Sequence, residues 1–67
     1  MEDMTMRIGT KIKELRKKRG ITQEQLANSI GISFQAVSKW ENDQTCPDIT
    51  LLPKLARTLD VTVDELL

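Results

Sequence analysis

An all-α fold, a compact bundle of five short helices, is what this sequence predicts, and three observations predict it. Apolar residues recur at three- and four-residue spacing rather than in strict alternation. Gly20 and Gly31 stand directly behind two such stretches, where left-handed helix stops belong. Two capping-box patterns, Thr22 with Gln25 and Thr62 with Glu65, mark helix starts. A chain of 67 residues holds one small domain, residues 1–67, with 1–6 expected to be loosely ordered.

The first helix is expected from Arg7 to Arg19. Ile8, Ile12 and Leu15 form one apolar stripe on it, and basic residues fill its last turn, where they complement the helix dipole. The second starts after Thr22, with Ile21 placed to staple onto Leu26, and stops at Gly31. Ser33 is a good N-cap for the third, which runs to about Glu41 with Val37 and Trp40 on one face. Residues 42–48 form a polar loop. The fourth helix spans about Thr50 to Leu59 and tolerates Pro53 because that residue lies in its first turn. The fifth begins at Thr62, with Val61 placed to staple onto Leu66.

Composition narrows the function. There is no histidine and a single cysteine, Cys46, so no disulfide within the chain and no zinc site of ordinary ligand count is available. Nor does any side chain titrate unperturbed near neutrality, which argues against acid–base catalysis, and neither an enzyme nor a cofactor is expected. No apolar run approaches the roughly 20 residues of a membrane span. The acidic start, Met1-Glu2-Asp3, is unlike a secretory signal, and a lone thiol fits a reducing cytoplasm.

Net charge is zero, but its distribution is uneven. Residues 1–39 hold eight basic and four acidic side chains; residues 40–67 hold two and six. Seven of the ten basic residues lie between Arg7 and Arg19. Such a run reads first as a solvated helix face, although it permits an anionic partner.

The joint between the second and third helices carries the most information. Two short helices meet through Ser29-Ile30-Gly31-Ile32-Ser33, with small Ala27 one turn ahead of the joint. Leu26, Ile30, Val37 and Trp40 fall on the inward side, the spacing of a DNA-binding helix-turn-helix. A generic helical corner shares part of that pattern. It has no reason to keep the outer face of its second helix polar, as Gln35, Ser38 and Lys39 do here.

Over these residues the chain resembles the lambda-repressor-like, Cro-type helix-turn-helix family, also called the xenobiotic-response-element type. The carrying segments are Ile21-Thr22-Gln23-Glu24-Gln25-Leu26-Ala27 and Ile30 through Trp40-Glu41-Asn42, with Pro47 and Val61 through Leu66 in support. The resemblance implies a five-helix bundle whose third helix enters the major groove of double-stranded DNA. It also implies a transcriptional regulator, a repressor in the first instance, binding a two-fold operator as a homodimer.

Residue by residue, the resemblance assigns base contacts to Gln35 and Lys39; Phe34 stands beside them at a position often polar in relatives, and is counted with the base contacts although packing on the helix start is the alternative. Gln35 offers the paired donor and acceptor that adenine matches; Lys39 suits guanine or a phosphate, and Phe34 a thymine methyl. Backbone contacts fall to Gln23, Ser33, Ser38, Asn42 and Thr45. Read without the resemblance, each of these is an ordinary surface, cap or turn residue. Trp40 is expected in the core. Arg16 and Glu41 match a family pair in which a first-helix arginine holds the end of the recognition helix. One departure stands out: Thr45-Cys46-Pro47-Asp48 lacks the basic residues with which some relatives enter the minor groove. An antitoxin-type or protein-interaction module of the same fold is the alternative, and an apolar Leu66-Leu67 end suggests a dimer surface or a chain that continues.

Overall fold

The computed structural model describes residues 4–67, and of residues 4–7 the backbone alone. Five α-helices run α1 (Met4–Arg19), α2 (Gln23–Ile30), α3 (Phe34–Glu41), α4 (Leu52–Leu59) and α5 (Val63–Leu66). A single 3₁₀ turn, Ile49–Leu51, leads into α4, and no strand occurs among the described residues. α1 begins at Met4, so Met4–Met6 are its first turn rather than part of a loose end; the same expectation for residues 1–3 lies outside the described residues.

Local chemistry sets most of the helix ends. Thr22 accepts from the Gln25 amide at 3.0 Å while the Gln25 side chain accepts from the Thr22 amide at 2.8 Å, closing the box that starts α2. Thr62 and Glu65 repeat the arrangement at α5. Gly20 and Gly31 take φ of 72° and 74°, the left-handed stops their positions implied. Two further stops use no glycine: Asp43 and Asp60 both sit at φ 61°. Ser33 departs from expectation. Its backbone has N-cap geometry, but its hydroxyl accepts no cap hydrogen bond; the Ala36 amide donates to the Ser33 carbonyl at 3.2 Å.

Thr50 and Leu51, expected to open the fourth helix, lie instead in the 3₁₀ turn, capped by Asp48, which accepts from the Thr50 amide at 3.1 Å. That bond and a second from the Thr50 hydroxyl, also 3.1 Å, hold the Asp48 carboxyl below its ordinary range. Pro53 follows in the first turn of α4, where no helical partner is lost.

Every helix contributes to one core. Ile12, Leu26, Val37, Leu55 and Leu66 are fully buried, each stabilising the fold by about 1.5–3 kcal/mol. Leu66 is therefore core, not dimer surface, while Leu67 stays half exposed. Leu15, expected in the stripe with Ile8 and Ile12, packs only at its margin. No helix among the described residues is long and apolar enough to cross a membrane.

Candidate nucleic-acid interface

α3 is amphipathic by construction. Val37 and Trp40, three residues apart, anchor its inner side at 0% and 4% exposure, against the wall formed by α1 and α2. The opposite side presents Phe34, Gln35 and Lys39 to solvent, with Ser38 half-buried at its edge. Phe34 is 49% exposed at the leading end, a large apolar side chain that the core does not absorb. The structure thus places the three side chains assigned to base contact on one outward face.

The trailing end of α3 is tied to the rest of the domain by a buried ion pair. Arg16 Nε donates to Glu41 Oε2 at 2.7 Å and Nη2 donates to Glu41 Oε1 at 3.0 Å, a two-point grip across 25 residues of sequence. Side-chain exposure is 11% for Arg16 and 3% for Glu41. Arg16 Nη1 also donates to the Ile21 carbonyl at 2.9 Å, so one guanidinium fixes both the entry to α2 and the end of α3. Gln23 completes the network, its amide nitrogen donating to Glu41 Oε1 at 3.0 Å. Burial pushes the Glu41 carboxyl up, but hydrogen bonds from Arg16 and Gln23 and the charges of Arg16 and Lys13 outweigh it, leaving the group below its ordinary range. The same hydrogen bond raises Arg16 further above its ordinary value.

Three of the backbone-contact candidates, Ser38, Asn42 and Thr45, gather at the trailing end of α3, while Gln23 and Ser33 stand at helix starts. Asn42 closes α3, its amide donating to Ser38 Oγ at 3.4 Å. Thr45 is exposed in the loop that folds back over the helix end, where the Gln44 amide donates to the Lys39 carbonyl at 2.9 Å. Gln23 lies at the start of α2 and Ser33 at the start of α3. Gln23 is not the free surface side chain that sequence alone would make it, since Glu41 holds its amide.

Sequence reading passed over Gly9. A Cβ built there would fall inside the carbonyl oxygen of Trp40 and 2.7 Å from Asp43 Oδ1, so α1 meets the end of α3 backbone to backbone. The signal was slight: an isolated glycine inside a helical pattern costs about 1 kcal/mol relative to alanine, which marks the position without saying what it packs against.

The family model described as helix-turn-helix matches residues 12–66. The chain belongs to the lambda-repressor-like helix-turn-helix family. It is 39% identical over 62 residues to the HTH-type transcriptional activator BcrR of Enterococcus faecalis, covering 92% of this chain and 30% of that protein. Among solved structures, the restriction-modification controller protein C.AhdI from Aeromonas hydrophila superposes with TM-score 0.88 at 31% identity, covering 96% of this chain and 97% of that one. The P22 c2 repressor in complex with a synthetic operator superposes with TM-score 0.84 at 37% identity, covering 90% of this chain and 91% of that one. Against two further curated regulators, the chain spans 49% and 54% of their length. Within this helix-turn-helix, α2 and α3 are the motif, Gly31 turns it, and the Arg16–Glu41–Gln23 network braces it from behind.

Proposed function

We propose that this chain is the DNA-reading domain of a transcriptional repressor, binding double-stranded DNA with α3 in the major groove. One observation carries the reading: Gln35, Lys39 and Phe34 stand together on an exposed helix face whose reverse is locked into the core by Val37 and Trp40. A likeness to a repressor bound to its operator supports it. In this reading Gln35 pairs with an adenine edge, Phe34 meets a thymine methyl and Lys39 reaches guanine or phosphate. Gln23, Ser33, Ser38, Asn42 and Thr45 fix the register on the phosphate backbone.

Two copies bind one two-fold operator. Ile49, 77% exposed on the 3₁₀ turn, is an apolar side chain free to serve that contact. Duplexes selected from a random pool by the chain, then measured with and without random competitor DNA, test the reading; light scattering on the complex gives the stoichiometry. Recovery of no preferred sequence would overturn it, and a complex of one chain per site would overturn the dimer.

A further inference from the structure

The basic face of α1 has so far no role. Its residues are not all equivalent, because α1 touches the end of α3 along one edge only. Gly9 packs on the Trp40 carbonyl beside Asp43, and Arg16 grips Glu41 and the Ile21 carbonyl. Lys13 lies four residues after the first of these contacts and three before the second, so helical periodicity sets it on the same edge, between them. Lys17 follows one turn on. Both are exposed, and neither forms an ion pair among the described residues, where the pairs are Arg16–Glu41 and Arg19–Asp60.

The edge they occupy runs from the end of α3, where Asn42 stands, to the entry of α2, where Gln23 stands. Those are two of the places at which the proposed interface meets the phosphate backbone. We propose that Lys13 and Lys17 form a phosphate-contacting row on α1 that bridges these two points and extends the footprint on DNA past the recognition helix. The inference rests on the DNA-binding reading and adds to it a segment that reads no bases.

Arg16 neutralises Glu41 at 2.7 Å, and Lys13 and Lys17 stand against Asp43 at the Gly9 contact and Glu24 in the first turn of α2, so the two lysines keep the edge from being acidic. That Lys13 also helps to lower the Glu41 carboxyl shows that its charge is felt at the end of α3. Lysine suits the task, since a mobile ammonium on a long stem meets a phosphate as a point charge and carries no base preference.

The test compares wild type, K13A, K17A, K13A/K17A and K13R on a duplex selected by the wild-type chain and on a random-sequence duplex, across about 50–200 mM salt. Each alanine should flatten the slope of log K against log salt by about 0.9, and the pair by about twice that. The loss of affinity should be the same on both duplexes, and K13R should restore it. An unchanged slope in K13A/K17A, with wild type binding normally, overturns the lysine row and leaves the DNA-binding reading intact. Failure of the wild type to bind either duplex overturns both. If Lys13 served only to steady Glu41, K13A would lose its effect in an E41Q background; persistence of the slope change there, with an unaltered melting curve, supports direct contact.

Discussion

Gly9 and Trp40 meet without side chains between them: the α-carbon of one lies against the carbonyl of the other, and any Cβ at position 9 would overlap that oxygen. This contact sets how closely α1 can approach the end of α3. Gly9→Ala should therefore destabilise the fold by about 1–3 kcal/mol from overpacking, even though alanine improves helix propensity by about 1 kcal/mol. Urea denaturation checks it. A net gain in stability would mean that the seam yields and that the glycine is not required.

The Arg16–Glu41 pair should show strong coupling in a double-mutant cycle, about 0.5–3 kcal/mol. Removing Arg16 alone leaves a carboxylate whose side chain is 3% exposed without its cation, and should cost about 3 kcal/mol. pH dependence follows from the lowered Glu41 carboxyl. The folded state favours the ionised form, so the stabilisation is present above the ordinary value of 4.5 and is lost as pH falls through the lower folded value. In Glu41→Gln that acid-side loss should shrink. Identical acid unfolding of wild type and Glu41→Gln would show that the pair does not govern it.

Trp40 should emit as a buried indole, blue-shifted from tryptophan in water, because it is 4% exposed. Its replacement by alanine should cost about 3–5 kcal/mol, a large share of the stability of so small a domain. A native emission maximum equal to that of the unfolded chain would contradict this packing.

Asp43 holds a left-handed backbone at φ 61° directly behind the recognition helix. Asp43→Gly should relieve strain of about 1–2 kcal/mol, partly offset by the greater backbone freedom of glycine in the unfolded chain, for a net gain below about 1 kcal/mol. Removing a carboxylate next to Asn42 should also tighten DNA binding at low salt. Lower thermal stability in this variant would sink the argument.

Gln35 carries the proposed base reading. Gln35→Ala should weaken binding to the selected duplex by about 1–3 kcal/mol and leave binding to random duplex nearly unchanged. Equal weakening on both would move Gln35 to the backbone and leave specificity with Phe34 and Lys39.

Features encoded within a few residues were legible in the sequence. Thr22 with Gln25, Thr62 with Glu65, Gly20 and Gly31 each fix a helix end by contacts spanning no more than a turn or two. What sequence reading missed depends on where distant elements meet. The Gly9 seam, and the hold of Glu41 on Gln23 across 18 residues, exist only once α1, α2 and α3 have packed. The left-handed stops at Asp43 and Asp60 were illegible for another reason: aspartate tolerates that backbone without announcing it, as glycine does. At Ser33 the local cue gave the N-cap backbone but not the side-chain bond, and the Ala36 amide pairs with the Ser33 carbonyl alone. For the interface, the polar outer face of α3 was plain, while the pair behind it came from family resemblance rather than from the residues.

The division of labour within α3 has a consequence for how such a domain diversifies. Gln35 and Lys39 are exposed, and no side-chain hydrogen bond or ion pair among the described residues depends on them, whereas Val37 and Trp40 hold the helix in place. Their substitution should therefore leave folding free energy within about 0.5 kcal/mol of wild type, as for surface sites in general. On the proposed reading, new target sequences can be explored at these positions one mutation at a time, along a nearly neutral path, because the residues proposed to choose the partner are not those that maintain the scaffold.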